Sequence, residues 1–173
     1  MGVKAAAPFY IEPLGEHHDR AAFSCGVAPL DDYLKRQARQ QRDRRIAAVF
    51  VMVGDTPETV AGYFTLSALS IGLAGLPAGL AKKLPRYPEV PAALIGRLAV
   101  DRRYQGRQLG ELLLMDALHR IAIQSEVIGV YAAVVDAIDD SAAAFYESYG
   151  FMRFPGRRDR LFLPTATILR MFA

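Results

Sequence analysis

The sequence predicts an α/β domain, and three observations lead to that fold class. Short apolar runs rich in β-branched residues alternate with segments in which apolar residues recur every three or four positions. Hydrophobic residues make up 52% of the 173-residue chain and charged residues 23%, which excludes disordered and collagen-like classes. The length fits a single domain over residues 1–173, because one core commonly serves about 100–200 residues.

Three strands and one helix are predicted in the first half of the chain. The strands are short, mostly apolar runs: 10–14, 47–53 and 60–69. The helix covers residues 29–45, where Leu30, Leu34 and Ala38 recur at intervals of four. Residues 55–58 contain a proline and turn the chain, which predicts a hairpin between the second and third strands.

The second half is predicted to alternate strands and helices after residues 70–91, a loop rich in glycine and proline with room for one short helix. The predicted strands are 92–100, 129–136, 161–163 and 167–172. Residues 109–123 have apolar residues at helical spacing. Asp139 offers an N-cap for a further helix through Tyr149, which Gly150 would end. This order of strands and helices is typical of an α/β domain.

The cations fall in clusters, although the net charge is only +3. Most of the 21 lysines and arginines belong to four groups with few acids between them: Lys35, Arg36, Arg39, Arg42, Arg44 and Arg45; Lys82, Lys83 and Arg86; Arg102, Arg103 and Arg107; Arg153, Arg157, Arg158 and Arg160. Arginine predominates, and its planar fork suits phosphate. The clusters indicate either a solvated surface or a polyanion partner, with RNA the leading candidate.

One segment of the sequence indicates what kind of ligand the protein binds. An apolar strand ends at Val100, a basic loop containing glycine follows, and an amphipathic helix opens near Leu109. Free N–H groups and the dipole at a helix start attract anions, and the loop arginines add full charges. The segment therefore predicts a pyrophosphate site. The spacing is neither the G-x-G-x-x-G of dinucleotide-binding proteins nor the Gly-Lys-Ser/Thr of a Walker loop.

The loop resembles the Q/R-x-x-G-x-G/A loop of the GNAT family of N-acetyltransferases, whose backbone binds the pyrophosphate of acetyl-CoA. Here it consists of Gln105, Gly106, Arg107, Gln108, Leu109 and Gly110. Gln108 stands where the central glycine usually lies, and its Cβ restricts the backbone although its N–H remains available. Four blocks extend the resemblance to the TacT/AtaT branch of the family, toxins that acetylate aminoacyl-tRNA and pair with ribbon-helix-helix antitoxins: residues 23–38, 82–106, 134–151 and 161–168.

The resemblance implies the GNAT fold, a mixed and mostly antiparallel twisted sheet of about six to seven strands flanked by helices. A splayed parallel strand pair would hold acetyl-CoA, with the backbone of Leu98, Ala99 and Val100 binding pantetheine. Tyr146 would donate a proton to the coenzyme A thiolate, and a phenol with a pKa near ~10 is protonated at neutral pH. Tyr149, four residues after Phe145, is expected to pack instead.

No general base and no metal site is predicted. His17, His18 and His119 are interpreted as surface residues, and Cys25 as a small buried apolar residue rather than a nucleophile. An α-amine, with a pKa near ~7.7–8, is substantially neutral at cellular pH, whereas a lysine amine near ~10.4 is not. The missing base is therefore compatible with an α-amine acceptor.

The predicted function is that of an acetyl-CoA-dependent N-acetyltransferase toxin of a type II toxin–antitoxin pair, which acetylates the α-amino group of aminoacyl-tRNA and blocks translation. Six arginines are expected to bind tRNA: Arg36, Arg39, Arg42, Arg86, Arg157 and Arg158. A cytoplasmic homodimer is expected, and no apolar run is long enough to span a bilayer. Two alternatives remain open: an acetyltransferase of a small amine or protein N-terminus, and a non-catalytic coenzyme A-binding module.

Overall fold

The computed structural model describes residues 9–84 and 88–173. The strands in these residues are β1 Tyr10–Pro13, β2 Ala48–Val53, β3 Val60–Gly72, β4 Glu89–Val100, β5 Ala132–Asp136, β6 Met152–Arg153 and β7 Arg160–Pro164. The helices are α1 Ala28–Arg36, α2 Ala38–Asp43, α3 Ala78–Ala81, α4 Leu109–Gln124, α5 Asp140–Glu147 and α6 Thr165–Met171. None of these helices combines the length and the apolar character that crossing a membrane requires.

The described strands form one sheet in the order β1-β2-β3-β4-β5-β7-β6. Strand β1 pairs antiparallel with β2, and β7 pairs antiparallel with both β5 and β6. Strands β4 and β5 are parallel, with Ala92 opposite Ala132 and Ile95 opposite Val135. The predicted α/β class is confirmed, as is the mostly antiparallel sheet with one parallel pair.

Two compact units divide the chain. The first combines the described residues up to Thr65 with Leu98–Leu114, and the second combines the described part of 66–97 with Met115–Ala173. In the first unit, the aromatic and aliphatic side chains of α1, α2, β2 and β3 form a buried core. In the second, residues of β4, β5 and β7 form another. A single domain over residues 1–173 therefore stays a prediction.

The long helix predicted over residues 29–45 is two helices, so that expectation was wrong. The backbone leaves the helical path at Gln37, which has φ −119° and ψ −29°. In a continuous helix, the carbonyl groups of Leu34 and Lys35 would bond the N–H groups four residues later. Instead both accept hydrogen bonds from the Arg20 guanidinium, at 3.1 and 3.2 Å. A side chain from outside the helix therefore helps to end α1.

The strand predicted over residues 167–172 was also wrong, because this segment belongs to helix α6. The start of the helix is fixed by Thr165, whose hydroxyl donates to the Val130 carbonyl at 2.6 Å and whose N–H donates to the Tyr131 carbonyl at 2.8 Å. The buried residues Thr165 and Ile168 are three positions apart, which is a helical spacing rather than a strand spacing. Tertiary contacts override the β-branched composition here.

Gly62 allows a close approach at the centre of the first unit. A Cβ at this position would lie 2.9 Å from the Ala99 carbonyl oxygen and 2.9 Å from Cδ1 of Leu113. Such distances are too short for carbon, so a larger residue would push apart β3, β4 and α4. The absence of a side chain lets β4 and α4 both lie close to β3, which helps to place the turn that joins β4 to α4.

Candidate functional site

The turn between β4 and α4 presents unpaired backbone N–H groups. Those of residues 105–108 donate no hydrogen bond to any described residue. Helix α4 follows at Leu109, and the first N–H groups of a helix have no intrahelical acceptor. Gly106 has φ +83° and Gln108 has φ +60°, both left-handed. Turns with left-handed residues can direct successive N–H groups into one anion-binding concavity.

Two of the three arginines at this turn keep an uncompensated charge. Arg102 and Arg107 form no ion pair with a described acid. Arg103 is neutralised by Asp101, with Nε 2.9 Å from Oδ1. The predicted basic character is therefore present, but it comes from two guanidinium groups rather than three. Free N–H groups and unpaired cations together suit a ligand with two negative charges.

Buried hydrogen bonds fix the shape of the turn. Asp101, which is 1% exposed, accepts from the N–H groups of Ser24 at 3.0 Å and Arg103 at 2.9 Å. Burial raises the pKa of Asp101, but hydrogen bonds from Arg103 and Ser24 outweigh it and leave that pKa below its ordinary value. The Gln105 side-chain amide donates to the carbonyl groups of Cys25 and Val100, each at 2.9 Å. The Gln105 side chain thus stabilises the turn, and its N–H remains free for a ligand.

The end of β4 extends past its parallel partner. Pairing with β5 ends at Ile95, so Leu98, Ala99 and Val100 lie beyond the last paired residue. The Ala99 side chain belongs to the core of the first unit, as expected for a residue that would contribute its backbone. The Val100 carbonyl already accepts from Gln105. A pantetheine role for this stretch stays a prediction.

Tyr146 lies on α5 in the second unit and is 7% exposed. Its ring packs against Phe145 and Phe151, with centroids 5.2 and 5.5 Å away. Burial raises the pKa of its hydroxyl to about 12, so the group holds its proton at neutral pH. The hydroxyl makes no hydrogen bond with another described residue, which leaves its proton available to a ligand.

The sequence correctly predicted the surroundings of Tyr146. Helix α5 begins after Asp139, whose carboxylate accepts a hydrogen bond from the Ala142 N–H at 2.7 Å. The helix ends at Glu147, two residues before the predicted end at Tyr149, and Gly150 follows with φ +97°. Tyr149 packs edge-on against Phe145 at 5.2 Å, as predicted. The N-cap and the aromatic contacts therefore determine the position of Tyr146 in the second unit.

A basic groove of about 390 Å³ lies along α1 and α2 in the first unit. Five of its lining residues are cationic: Arg20, Lys35, Arg36, Arg39 and Arg44. Arg36 and Arg44 are exposed and form no ion pair with a described acid, whereas Arg39 pairs with Glu16 at 3.2 Å. Asp43 is the acid among the lining residues. The groove therefore offers a concentrated positive charge to a polyanion.

The structure separates the six arginines predicted to bind tRNA. Arg36 and Arg39 line the groove, but Arg42 is half-buried and donates to the Leu14 carbonyl at 2.6 Å. A hydrogen bond with Asp43 also raises the pKa of Arg42 above its ordinary value. The contacts with Leu14 and Asp43 give Arg42 a structural role. Arg157 pairs with Asp159 at 3.0 Å, and the exposed Arg158 forms no ion pair with a described acid. Arg86 lies outside the described residues.

Comparison with known proteins identifies the family. The pattern of the Acetyltransferase (GNAT) family matches residues 14–151, which include the turn, Tyr146 and the basic groove. This protein belongs to the GNAT family. The GNAT chain is 36% identical to the probable toxin TacT of Sinorhizobium fredii over 176 residues, covering 97% of each protein. It is also 36% identical to a tRNA-acetylating toxin of Mycobacterium tuberculosis over 138 residues, which cover 80% of this chain and 81% of that protein.

Solved structures of related toxins have the same fold. AtaT complexed with acetyl-methionyl-tRNAfMet matches with a TM-score of 0.89 and 31% identity, over 96% of this GNAT chain and 100% of that chain. A second match is a tyrosine-to-phenylalanine mutant of AtaT, solved with acetyl-CoA and the C-terminus of the antitoxin AtaR. Its TM-score is 0.81 and its identity 28%, over 95% of this GNAT chain and 98% of that chain. The predicted GNAT fold is confirmed.

The prediction that all three histidines lie on the surface was wrong for His18, whose side chain is fully buried. Its Nδ1 accepts a hydrogen bond from the Gly15 N–H at 2.9 Å, so in the neutral ring the proton lies on Nε2, 2.7 Å from Glu12 Oε1. With His17, three possible metal-ligand atoms lie within 4.8 Å of one another. Metal binding through Nε2 would need the proton on Nδ1 and would break the bond to Gly15.

Two features of the GNAT chain could not be found by motif. Arg20 ends α1 and lines the basic groove, but nothing near it in sequence distinguishes it from other exposed arginines. Tyr104 directly precedes the family loop and binds Asp55, a residue 49 positions away. Cys25 is buried as predicted, and mainly because of burial the pKa of its thiol is raised to about 11. Its thiol is therefore uncharged at neutral pH.

Replacing Gln108 with glycine is expected to raise the free energy of unfolding by up to about 1 kcal/mol. The left-handed conformation costs a non-glycine residue about 1–2 kcal/mol, and part of the gain is lost to the flexibility of glycine in the unfolded chain. Urea unfolding measures the change. The matched control is Gly106→Ala, which imposes a side chain at φ +83° and should lower stability. A large loss of stability in Gln108→Gly would contradict the prediction.

The stability of the protein is expected to fall between pH 10 and 12 partly because of Tyr146. Below pH 10 both folded and unfolded states keep the phenol proton, so its contribution is constant. Above pH 10 the unfolded state loses that proton, while the raised pKa of about 12 keeps the folded state protonated. The shift corresponds to about 2 kcal/mol lost by pH 12. Chemical unfolding of Tyr146→Phe should show a shallower alkaline decline, and an identical decline would refute this.

Proposed function

We propose that this GNAT protein is an acetyl-CoA-dependent N-acetyltransferase that acetylates the α-amino group of aminoacyl-tRNA. The observation that carries the proposal is the turn of residues 105–108, whose unpaired N–H groups precede α4 beside the unpaired Arg102 and Arg107. A diphosphate accepts hydrogen bonds from such groups and is attracted by such cations. An acetylated amine cannot attack a peptidyl ester, so the reaction inhibits translation.

The donor would be held by backbone groups of the first unit. The N–H groups of residues 105–110 would bind the diphosphate of acetyl-CoA, which supplies the acetyl thioester. The backbone of Leu98, Ala99 and Val100 would bind pantetheine, because β4 continues there without pairing to β5. One of its N–H groups would donate to the thioester carbonyl oxygen and stabilise the negative charge that develops on it. The acetyl-CoA bound to the related AtaT supports this assignment.

An aminoacyl-tRNA suits the chemistry of the acceptor. Its α-amine is substantially neutral near pH 7, since model α-amines have a pKa of ~7.7–8, and it can attack the thioester without a strong general base. A lysine amine, with a pKa of ~10.4, would need one. His18 is poorly suited to that role, because its ring is engaged by Gly15 and Glu12. Two relatives support the substrate class. AtaT has been solved with acetyl-methionyl-tRNAfMet, and the M. tuberculosis relative is a tRNA-acetylating toxin.

Tyr146 would act as the general acid. The C–N bond forms as the C–S bond breaks, and the departing coenzyme A thiolate takes the phenol proton. The proton lost by the attacking amine passes to solvent, from which the phenolate regains one. Burial keeps the phenol protonated over the physiological pH range, because its raised pKa of about 12 lies far above it. A general acid of this kind contributes about 10²–10⁴-fold to a rate.

The remaining parts of the proposal concern partners. The groove along α1 and α2 would bind tRNA phosphates, chiefly through Arg36, Arg39 and Arg44, and Arg158 would add a further contact. A homodimer would widen this basic surface. A ribbon-helix-helix antitoxin would neutralise the protein, consistent with the AtaR segment bound to AtaT. Charged tRNA is a cytoplasmic substrate, so we place the protein in the cytoplasm.

Incubation with radiolabelled acetyl-CoA and parallel pools of charged and deacylated tRNA tests the proposal. Label should enter the charged pool alone and should leave the RNA with the amino acid after mild alkaline hydrolysis of the ester. Tyr146→Phe is the matched negative control. Label on a small amine or a protein N-terminus would instead support another acetyltransferase. Binding of acetyl-CoA without turnover would support a non-catalytic module.

A further inference from the structure

Tyr104 is buried beneath the turn and fixed there by its hydroxyl. It is 3% exposed and is the last residue of a short 3-10 helix, Arg102–Tyr104. Its hydroxyl donates to Oδ2 of Asp55 at 2.9 Å and accepts from the Asp55 N–H at 3.1 Å. The Phe9 and Tyr104 rings pack in a T-shaped arrangement, with the centroids 5.9 Å apart. Two bonds to one residue and an aromatic neighbour define the position of the ring.

Gly54 provides the space that this hydroxyl occupies. A Cβ on Gly54 would lie 2.5 Å from the hydroxyl oxygen and 2.8 Å from Cζ of Tyr104. Both distances are too short for non-bonded atoms, so any larger residue would displace the ring. The β2–β3 connection is thus shaped to receive Tyr104, although 50 positions separate the two residues.

Two guanidinium groups lie over the Tyr104 ring, and they differ in whether an acid neutralises them. Cζ of Arg103 lies 5.8 Å from the ring centroid, but Asp101 neutralises this arginine. Cζ of Arg107 lies 5.5 Å from the centroid, and Arg107 has no ion pair with a described acid. An aromatic face attracts a cation without cancelling its charge. Arg107 is therefore restrained and remains fully charged.

We propose that Tyr104 is a positioning residue that holds the Arg107 guanidinium for the diphosphate of acetyl-CoA. The inference rests on the proposed function, which assigns the diphosphate to this turn. Restraining Arg107 before binding reduces the side-chain entropy lost when the ligand arrives. A carboxylate could restrain the arginine equally well, but it would repel the diphosphate. The aromatic ring avoids that repulsion.

A double-mutant cycle on Tyr104→Leu and Arg107→Ala tests the proposal, with donor preference as the readout. The measured quantity is the ratio of kcat/KM for acetyl-CoA to kcat/KM for acetyl-pantetheine, which lacks the diphosphate. Tyr104→Leu should lower this ratio about 3- to 10-fold, the range expected from a cation–π contact. In the Arg107→Ala background, the same substitution should change the ratio less than about 2-fold. A general loss of structure would affect both donors and leave the ratio unchanged.

A second series avoids the risk that Tyr104→Leu does not fold. Tyr104→Phe keeps the ring, and a trifluorinated phenylalanine at the same position keeps its shape while withdrawing electron density from its face. The fluorinated ring should lower the donor ratio further than Tyr104→Phe, because it attracts a cation less strongly. Suppose that the wild type transfers acetyl groups. Equal donor ratios for the two rings, or additive effects in the double-mutant cycle, would then overturn the role of Tyr104. A wild type that uses neither donor would overturn the proposed function and this inference together.

Discussion

Tyr146→Phe is expected to lower kcat about 10²- to 10⁴-fold, the contribution of a positioned general acid. The substitution removes one oxygen atom from a ring held between Phe145 and Phe151, so the packing of α5 is retained. The turn that would bind the diphosphate involves other residues, and the Kd of acetyl-CoA should therefore stay within about 2-fold of the wild-type value. Single-turnover kinetics on charged tRNA and calorimetric titration of acetyl-CoA measure the two quantities.

Tyr149→Phe is the matched control for this experiment. Tyr149 lies three residues later, packs against the same Phe145 ring and is half-buried. Its kcat should remain within about 2-fold of wild type, since its predicted role is packing. An unchanged kcat in Tyr146→Phe would reject the acid role. A fall in kcat matched by an equal weakening of acetyl-CoA binding would reject it too.

Arg36→Ala combined with Arg44→Ala is expected to weaken tRNA binding about 10- to 30-fold near physiological salt. Each lost phosphate contact removes nearly one counterion from the binding equilibrium, so the slope of log K against log[salt] should become shallower by about 1.5–2. These two arginines are chosen because both line the groove and neither forms an ion pair with a described acid. Filter binding over a range of salt concentrations measures the affinity and the slope.

The control removes the same amount of charge elsewhere. Arg120→Ala with Arg170→Ala lowers the net charge by two at residues of α4 and α6 that do not line the groove. The slope should stay within experimental error of wild type, because these two arginines do not line the groove. Retention of wild-type affinity and slope by Arg36→Ala/Arg44→Ala would assign the groove to solvent. Arg42 is unsuitable for this test, because its loss would break the contact with the Leu14 carbonyl.

Local features of the chain were predictable because their causes are local. The passage from β4 through a basic turn into α4 follows from apolar periodicity and glycine placement, and the N-cap of α5 follows from Asp139. The anion-binding character of the turn is equally local, since it arises from N–H groups that no neighbouring residue can satisfy. The resemblance to the GNAT family added roles for Tyr146 and the β4 backbone that periodicity alone could not supply.

By itself, the amino-acid sequence determined the α/β class, the turn at residues 105–110 and the concentration of arginine that makes the surface basic. Tertiary structure alone decided how individual side chains are used. It assigned Arg42 to the Leu14 carbonyl, buried His18 against Glu12, and placed Arg107 over the Tyr104 ring. Periodicity and turn propensity depend on residues a few positions apart, whereas the partner of a side chain depends on which distant segments the fold brings together.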